Sequence, residues 1–192
     1  MTRTRTPRWM LIAALVALTL IAAVASLLYG PVDLSVARLI VAAGGHGDAI
    51  ATTILFDLRL PRTLLALIVG AALGLSGAAL QGYLRNPLAE PSVLGTSNAA
   101  ALGGVAALYF GFAQMHPAAL PLLAIGGALL SLALLFALAG RSESPLTLIL
   151  AGIAVGTLAV AGTSLALNLS PNPFAAMEIM TWLLGSLENR SF

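Results

Sequence analysis

Apolar and polar positions fall along the chain in long blocks. Apolar runs near the length of about 20 residues that crosses a hydrocarbon core lie at 9–28, 64–84, 93–112, 118–138 and 146–167, and a further apolar segment at 174–184 is too short to span. The pattern predicts an all-α, polytopic membrane protein: one transmembrane domain over 1–192 with five spanning helices and a short terminal helix at the outer face. The least hydrophobic long stretch, 29–61, holds Pro31, Asp33, the turn cluster from Gly44 to Asp48, and Asp57. It reads as an outside loop in which 34–43 has apolar residues at helical spacing and forms a short surface helix. The second run carries Gly70, Gly74, Ser76, Gly77 and Gln81. Small residues let backbones approach where packing and interhelical hydrogen bonds replace a hydrophobic drive between helices, so this helix is expected to be surrounded by protein. Arg85 to Pro91 follows, where Pro87 and Pro91, with polar Asn86 and Glu90, stop the helix and demand partners for the freed backbone. The third run opens on Thr96, Ser97 and Asn98 and is rich in small residues. The fourth is richer in leucine, ends at Gly140 and Arg141, and can face lipid. Pro145 suits the first position of the fifth helix, in which Gly152 and Gly156 have small-xxx-small spacing.

Composition narrows the class. With 59% hydrophobic and 8% charged residues and a mean hydropathy of +1.00, the chain cannot expose an ordinary soluble surface, which is about a quarter charged. All nine basic residues are arginine. Without lysine there is no P-loop, so this chain does not itself hydrolyse ATP. Without cysteine there is no disulfide, thiolate metal site or thiol nucleophile. His46 and His116 lie far apart in polar connections and read as solvated loop residues, so no metal or cofactor and no nucleic-acid partner is expected. The carboxylates sit in connections or in the short terminal segment rather than in the spans, which argues against an ion-coupled secondary transporter. No Ser/His/Asp set or paired carboxylates within the spans support a membrane enzyme.

Arg3, Arg5 and Arg8 place the N-terminus in the cytoplasm. A basic start followed by an apolar run and Ala23, Val24, Ala25 also resembles a signal peptide, but the run exceeds the usual apolar length of about 7–15 residues, and a retained first helix is the preferred reading. Alternation then puts Arg3, Arg5, Arg8, Arg85 and Arg141 inside and Arg38, Arg59, Arg62 and Arg190 outside, five against four. That bias is weak, and Arg59 and Arg62 adjoin a spanning helix on the wrong side for the charge rule. Inverting the topology does not improve the count, which points to a functional reason for the pair. Pro61 fixes the angle at which the chain enters the helix and holds both guanidinium groups at a rigid corner. Such groups suit bidentate capture of carboxylates; they can equally snorkel to lipid phosphates, and spacing alone leaves both readings open.

R-L-P-R-T-L at Arg59–Leu64, S-G-A-A-L-Q at Ser76–Gln81 and R-N-P-L-A-E-P-S-V-L-G at Arg85–Gly95 together resemble the FecCD family, the permease subunits of ABC importers for iron siderophores, haem and cobalamin. L-A-G-I-A at Leu150–Ala154 and M-x-W-L-L-G-S-L at Met180–Leu187 extend the resemblance. It implies a bacterial inner-membrane subunit of about ten spans that pairs with a second permease copy or a similar permease. Two ATPase subunits would dock below and an extracytoplasmic substrate-binding protein outside. It further implies that Arg59 and Arg62 receive acidic residues of the binding protein. Gly70, Gly74, Ser76, Gly77, Gln81, Asn86, Pro87, Glu90, Pro91 and Asn98 would serve helix packing or the translocation path. For Glu90 the expected partner is Arg85 or a backbone amide of its own turn. The chain corresponds to the first half of such a subunit and stops before the coupling helices that follow the sixth span. It therefore reads as a fragment without a complete ATPase dock, and a nonfunctional truncated permease is the alternative reading.

Overall fold

The computed structural model describes residues 7–140 and 144–187. Arg3, Arg5, Arg141 and Arg190, used in the topology count, lie outside them. Among the described residues every regular element is helical: α1 Arg8–Leu28, α2 Val36–Ala43, α3 Ala49–Thr53, a π-helical segment Ile54–Arg59, α4 Leu60–Leu84, a 3-10 turn Pro91–Leu94, α5 Thr96–Tyr109, α6 Phe112–Met115, α7 Ala119–Ala139, α8 Pro145–Asn168 and α9 Pro173–Leu183. Contacts divide the chain into two compact units, Met1–Ala71 with Leu187–Phe192, and Ala72–Ser186.

In the first unit α1 ends at Tyr29, whose N–H still donates to Ala25 O. Ser35 caps α2 and Asp48 caps α3, each side chain accepting a backbone N–H three residues on, as N-cap residues do. Arg38 pairs with the same Asp48 carboxylate. This bond, and secondarily the Ala51 N–H, hold the Asp48 carboxyl below the usual carboxylate range. The two short helices fold back tightly because Gly47 lies against α2, where a Cβ would stand 2.5 Å from Ala42 Cα. Leu39, Ala42, Ala51 and Leu55 form the core beneath them, with Leu27, Leu28 and Leu34 packed alongside.

The stretch expected as an outside loop up to Pro61 is therefore helical from Ala49 onward, and α3, the π segment and α4 run on as one apolar helix of 36 residues. Pro61 does not start this helix; it sits inside it. A proline has no N–H to donate and its ring collides with the carbonyl four residues back. The π register answers both problems, with Leu60 N–H donating to Leu55 O, five residues back.

Four helices are long and apolar enough to cross a membrane among the described residues: Arg8–Leu28, Ala49–Leu84, Ala119–Ala139 and Pro145–Asn168. The run 93–112, expected as a further span, is divided between a 3-10 turn and a shorter helix. Its first residues are used in the 3-10 turn, Gly95 takes a left-handed φ of 71°, and α5 has 14 residues. At 1.5 Å per residue that is about 21 Å, short of the hydrocarbon core of about 30 Å.

The second unit is held by glycine. A Cβ at Gly103 would lie 2.1 Å from Leu123 O, and one at Gly127 would lie 2.3 Å from Ala99 O, so α5 and α7 touch backbone to backbone. Gly95 rests in the notch that Gly152 and Gly156 cut into α8: a Cβ at Gly95 would meet Gly152 O at 2.5 Å and Gly156 N at 2.6 Å. The small-xxx-small pair thus receives the broken segment rather than a whole helix. Gly104 leaves room for the Trp182 ring of α9, Ile179 is fully buried beside it, and Tyr109 Oη donates to Leu169 O at 3.0 Å. Leu135, Ala139, Leu148 and Ala151 complete the core with Leu94.

The helix over 64–84 was expected to be surrounded by protein. Beyond its own helix, no described residue comes within 4 Å of a Cβ built at Gly70, Gly74 or Gly77, and Ile68, Leu73 and Leu75 are exposed.

Candidate functional site: an arginine-lined cavity

Arg59 stands at the end of the π segment, where the register turns its side chain toward the end of α1. There Nη1 donates to Leu27 O at 2.9 Å and Leu28 O at 2.8 Å, and Nη2 donates to Val32 O at 2.7 Å. The last carbonyls of a helix have no partner within it, and the negative end of the helix dipole favours a cation. Arg59 supplies both needs and is only 7% exposed. The corner arginine expected from the sequence is thus largely committed to its own chain. Nearby, Ser26 Oγ and Thr63 Oγ1 share a hydrogen bond of 2.8 Å.

Arg62, one turn on, is exposed. It makes no hydrogen bond or ion pair among the described residues. The two arginines line a cavity of about 820 Å³, together with Ser26, Tyr29, Gly30 and Val32. The site therefore combines one anchored guanidinium with one that has no partner among the described residues, beside an open space, an arrangement suited to an anionic group.

The other sequence-derived candidates lie elsewhere. Ser76 donates to Leu73 O within α4. Gln81 Nε2 reaches Ala89 O at 3.4 Å, which ties the end of α4 to the loop that follows. Arg85 adopts a left-handed φ of 49°, and Asn86 N–H bonds back to Gln81 O at 3.1 Å, the pattern that closes a helix at a left-handed residue. Asn86 Oδ1 accepts Leu88 N–H at 2.9 Å, which rounds the turn ahead of Pro87 and leaves Leu88 86% exposed. Glu90 is exposed, and its carboxylate accepts from Ser92 Oγ. Neither of its expected partners, Arg85 or a backbone amide of the turn, is used. Pro91 opens the 3-10 turn. Asn98 sits at the α8 notch, its Nδ2 3.3 Å from a Cβ built at Gly156.

The roles of Gly30, Gly95 and Gly104 escaped sequence reasoning, because each is defined by a distant partner. A glycine beside a helix end, after a proline turn or within a small-residue helix is the only trace they leave in the sequence.

The profile of the FecCD transport family matches residues 18–192. Over 181 residues the chain is 40% identical to the vitamin B12 import system permease protein BtuC of Salmonella newport (strain SL254) and, equally, to that of Salmonella typhi, covering 94% of this chain and 52% of each relative. The chain thus spans about half the length of the curated relatives it matches. A solved structure assigned to the metal-chelate type of ABC transporter, in an inward-facing conformation, superposes with a TM-score of 0.81 at 36% identity, over 95% of this chain and 55% of that one. A glycine-packed, all-helical membrane chain with this profile over most of its length belongs to the FecCD transport family.

Proposed function

We propose that the chain forms part of the permease subunit of an ATP-driven importer in the bacterial inner membrane, passing a metal chelate of the siderophore, haem or cobalamin kind. The permease makes no covalent change in its cargo; partner ATPase subunits supply the energy, and its helices rock between outward and inward openings. A second permease copy or a similar subunit completes the path. Further permease helices would cover the bare small-residue face of α4, and lipid would cover α1 and the leucine-rich side of α7.

The observation that carries this reading is the cavity with Arg59 and Arg62, reached from the family resemblance and from the exposed guanidinium of Arg62 alike. In it we place the dock for acidic residues of an extracytoplasmic binding protein, with Arg62 as the exposed contact. Gly70, Gly74, Ser76, Gly77, Gln81, Asn86, Pro87, Glu90, Pro91 and Asn98 are assigned to helix packing or to the edge of the path. Arg62→Glu in the full-length permease complex should weaken stimulation of the ATPase by the binding protein about ten-fold or more, since a buried like-charge contact costs several kcal/mol, and leave membrane insertion intact. A matching Glu→Arg change on the binding protein should restore it. Undiminished stimulation in Arg62→Glu overturns the dock.

The same reading puts the N-terminus in the cytoplasm and the α2–α3 turn outside. His46 is exposed in that turn, and the chain has no cysteine, so His46→Cys gives a single thiol. It should react with an impermeant thiol reagent added to intact cells. Reaction only after the cytoplasmic side is opened would invert the topology.

A further inference from the structure

A helix that is apolar on every side holds its place only where something apolar covers it. The helix α2, Val36–Ala43, comes close to that description. Leu39 and Ala42 are buried in the cluster with Ala51 and Leu55, against which Leu27 and Leu28 of α1 pack. At 3.6 residues per turn, Ala37, Ile40 and Val41 face away from that cluster, and Val36 lies at its edge. Val36, Ile40 and Val41 are exposed, Ile40 at 66%, and Ile50 of α3 is exposed as well. Arg38 and Asp48 are the only charged residues between positions 34 and 53, and they pair with each other. The α2–α3 hairpin therefore presents exposed apolar side chains and no net charge.

The level of the hairpin follows from α1. That helix is long and apolar enough to cross a membrane, and none of its residues is buried. It ends at Leu28, and the next residue, Tyr29, is 79% exposed; tyrosine collects at the membrane–water boundary. A hairpin packed on Leu27 and Leu28 sits at the same level, beside a helix whose exposed apolar side chains, Val24 among them, face lipid. We propose that the hairpin is an interfacial anchor whose outer face, Val36, Ile40 and Val41, enters the leaflet at which α1 ends. An exposed apolar patch marks a membrane or a protein contact, and charge selects between them. Arg62 suits an acidic protein partner, whereas the ion pair of the hairpin is closed on itself and offers such a partner nothing. Lipid asks for no charge. Interfacial helices bury their apolar face about 5–10 Å into the boundary between headgroups and acyl chains, where charges paired with one another are tolerated better than lone ones. The anchor needs only that α1 spans; it holds for either orientation and does not depend on the docking reading.

The test reads depth. In the full-length permease, cleared of any other cysteine and reconstituted in vesicles of phosphatidylethanolamine and phosphatidylglycerol, a nitroxide is placed on Ile40→Cys, on Val36→Cys or, for comparison, on His46→Cys in the turn between α2 and α3. All three positions are exposed, so the labels need not disturb the core. Oxygen concentrates in hydrocarbon. Relative to a water-soluble nickel chelate, it should relax the labels at positions 36 and 40 several-fold more than the label at 46. A nickel chelate that reaches position 40 as readily as position 46 overturns the anchor, because that face is then solvated. A label at position 40 shielded from both agents also overturns it, in favour of a protein cover. The docking reading fails separately, on the ATPase measurement with Arg62→Glu.

Discussion

Gly95→Ala is expected to cost the second unit about 2–5 kcal/mol, from two effects at one atom. A φ of 71° places the residue in the left-handed region, which costs a side chain about 1–2 kcal/mol. The new methyl would also stand 2.5 Å from Gly152 O, 2.6 Å from Gly156 N and 2.8 Å from Gly156 Cα. All three are backbone atoms of α8, which cannot swing away as a flexible side chain can, and overpacking of this kind costs about 1–3 kcal/mol more. The measurement is unfolding of the purified protein in mixed detergent, with Gly126→Ala as the control. A Cβ at Gly126 meets nothing within 4 Å, and alanine in a helix interior gains about 0.5–1 kcal/mol over glycine, so the control should stabilise. Equal stability of Gly95→Ala and the parent would show that α8 does not hold the broken segment in this way.

Arg59→Ala should be as damaging at the other unit. It removes the donors to three carbonyls at a residue 7% exposed, and hydrogen bonds to a charged group are worth about 1.5–3 kcal/mol each, with losses that do not add in full. A total of about 3 kcal/mol is expected. Arg59→Lys should recover only part of it, because an ammonium is a point donor and cannot span the carbonyls that the planar fork reaches. Val32→Cys reports the change: its thiol, unique in a chain without cysteine, should react faster when Arg59 no longer holds the Val32 carbonyl. An unaltered labelling rate in Arg59→Ala would remove the clamp from the account. The clamp also explains why Arg62→Glu is the cleaner probe of docking, since any change at Arg59 disturbs the end of α1 as well.

How far the sequence could be read depended on the range of the forces involved. Continuous apolar runs were enough to mark α1, α7 and α8, since a span needs only length and hydropathy. Pro61 misled: treated as a boundary, it hid the helix that begins at Ala49, because a proline can also be accommodated by a change of register. Asp57, Arg59 and Arg62 deepened that error by placing charges at the start of an apolar helix. The third run gave a shorter helix than its apolar length suggested for the opposite reason, a local turn at Pro91 and Gly95 cutting into an apolar stretch. At the cavity the sequence supplied both arginines and their chemistry. It could not supply the difference between them, an anchored Arg59 and an exposed Arg62, which depends on carbonyls about thirty positions away in the chain.

The π segment Ile54–Arg59 has a consequence for how this helix tolerates change. One extra residue per turn advances the azimuth of everything upstream by about 100° relative to an unbroken α-helix. The apolar stripe before Arg59 and the one after Pro61 are thus keyed to different directions, like two shafts joined by an offset coupling. Deleting a single residue between positions 54 and 59 would convert the coupling to plain α-helix while keeping both stripes on their own bearings. A deletion in the middle of α4 would swing every residue beyond it to a new side. Length variation in this subunit is therefore absorbed at the coupling, next to Pro61, and resisted along the shaft.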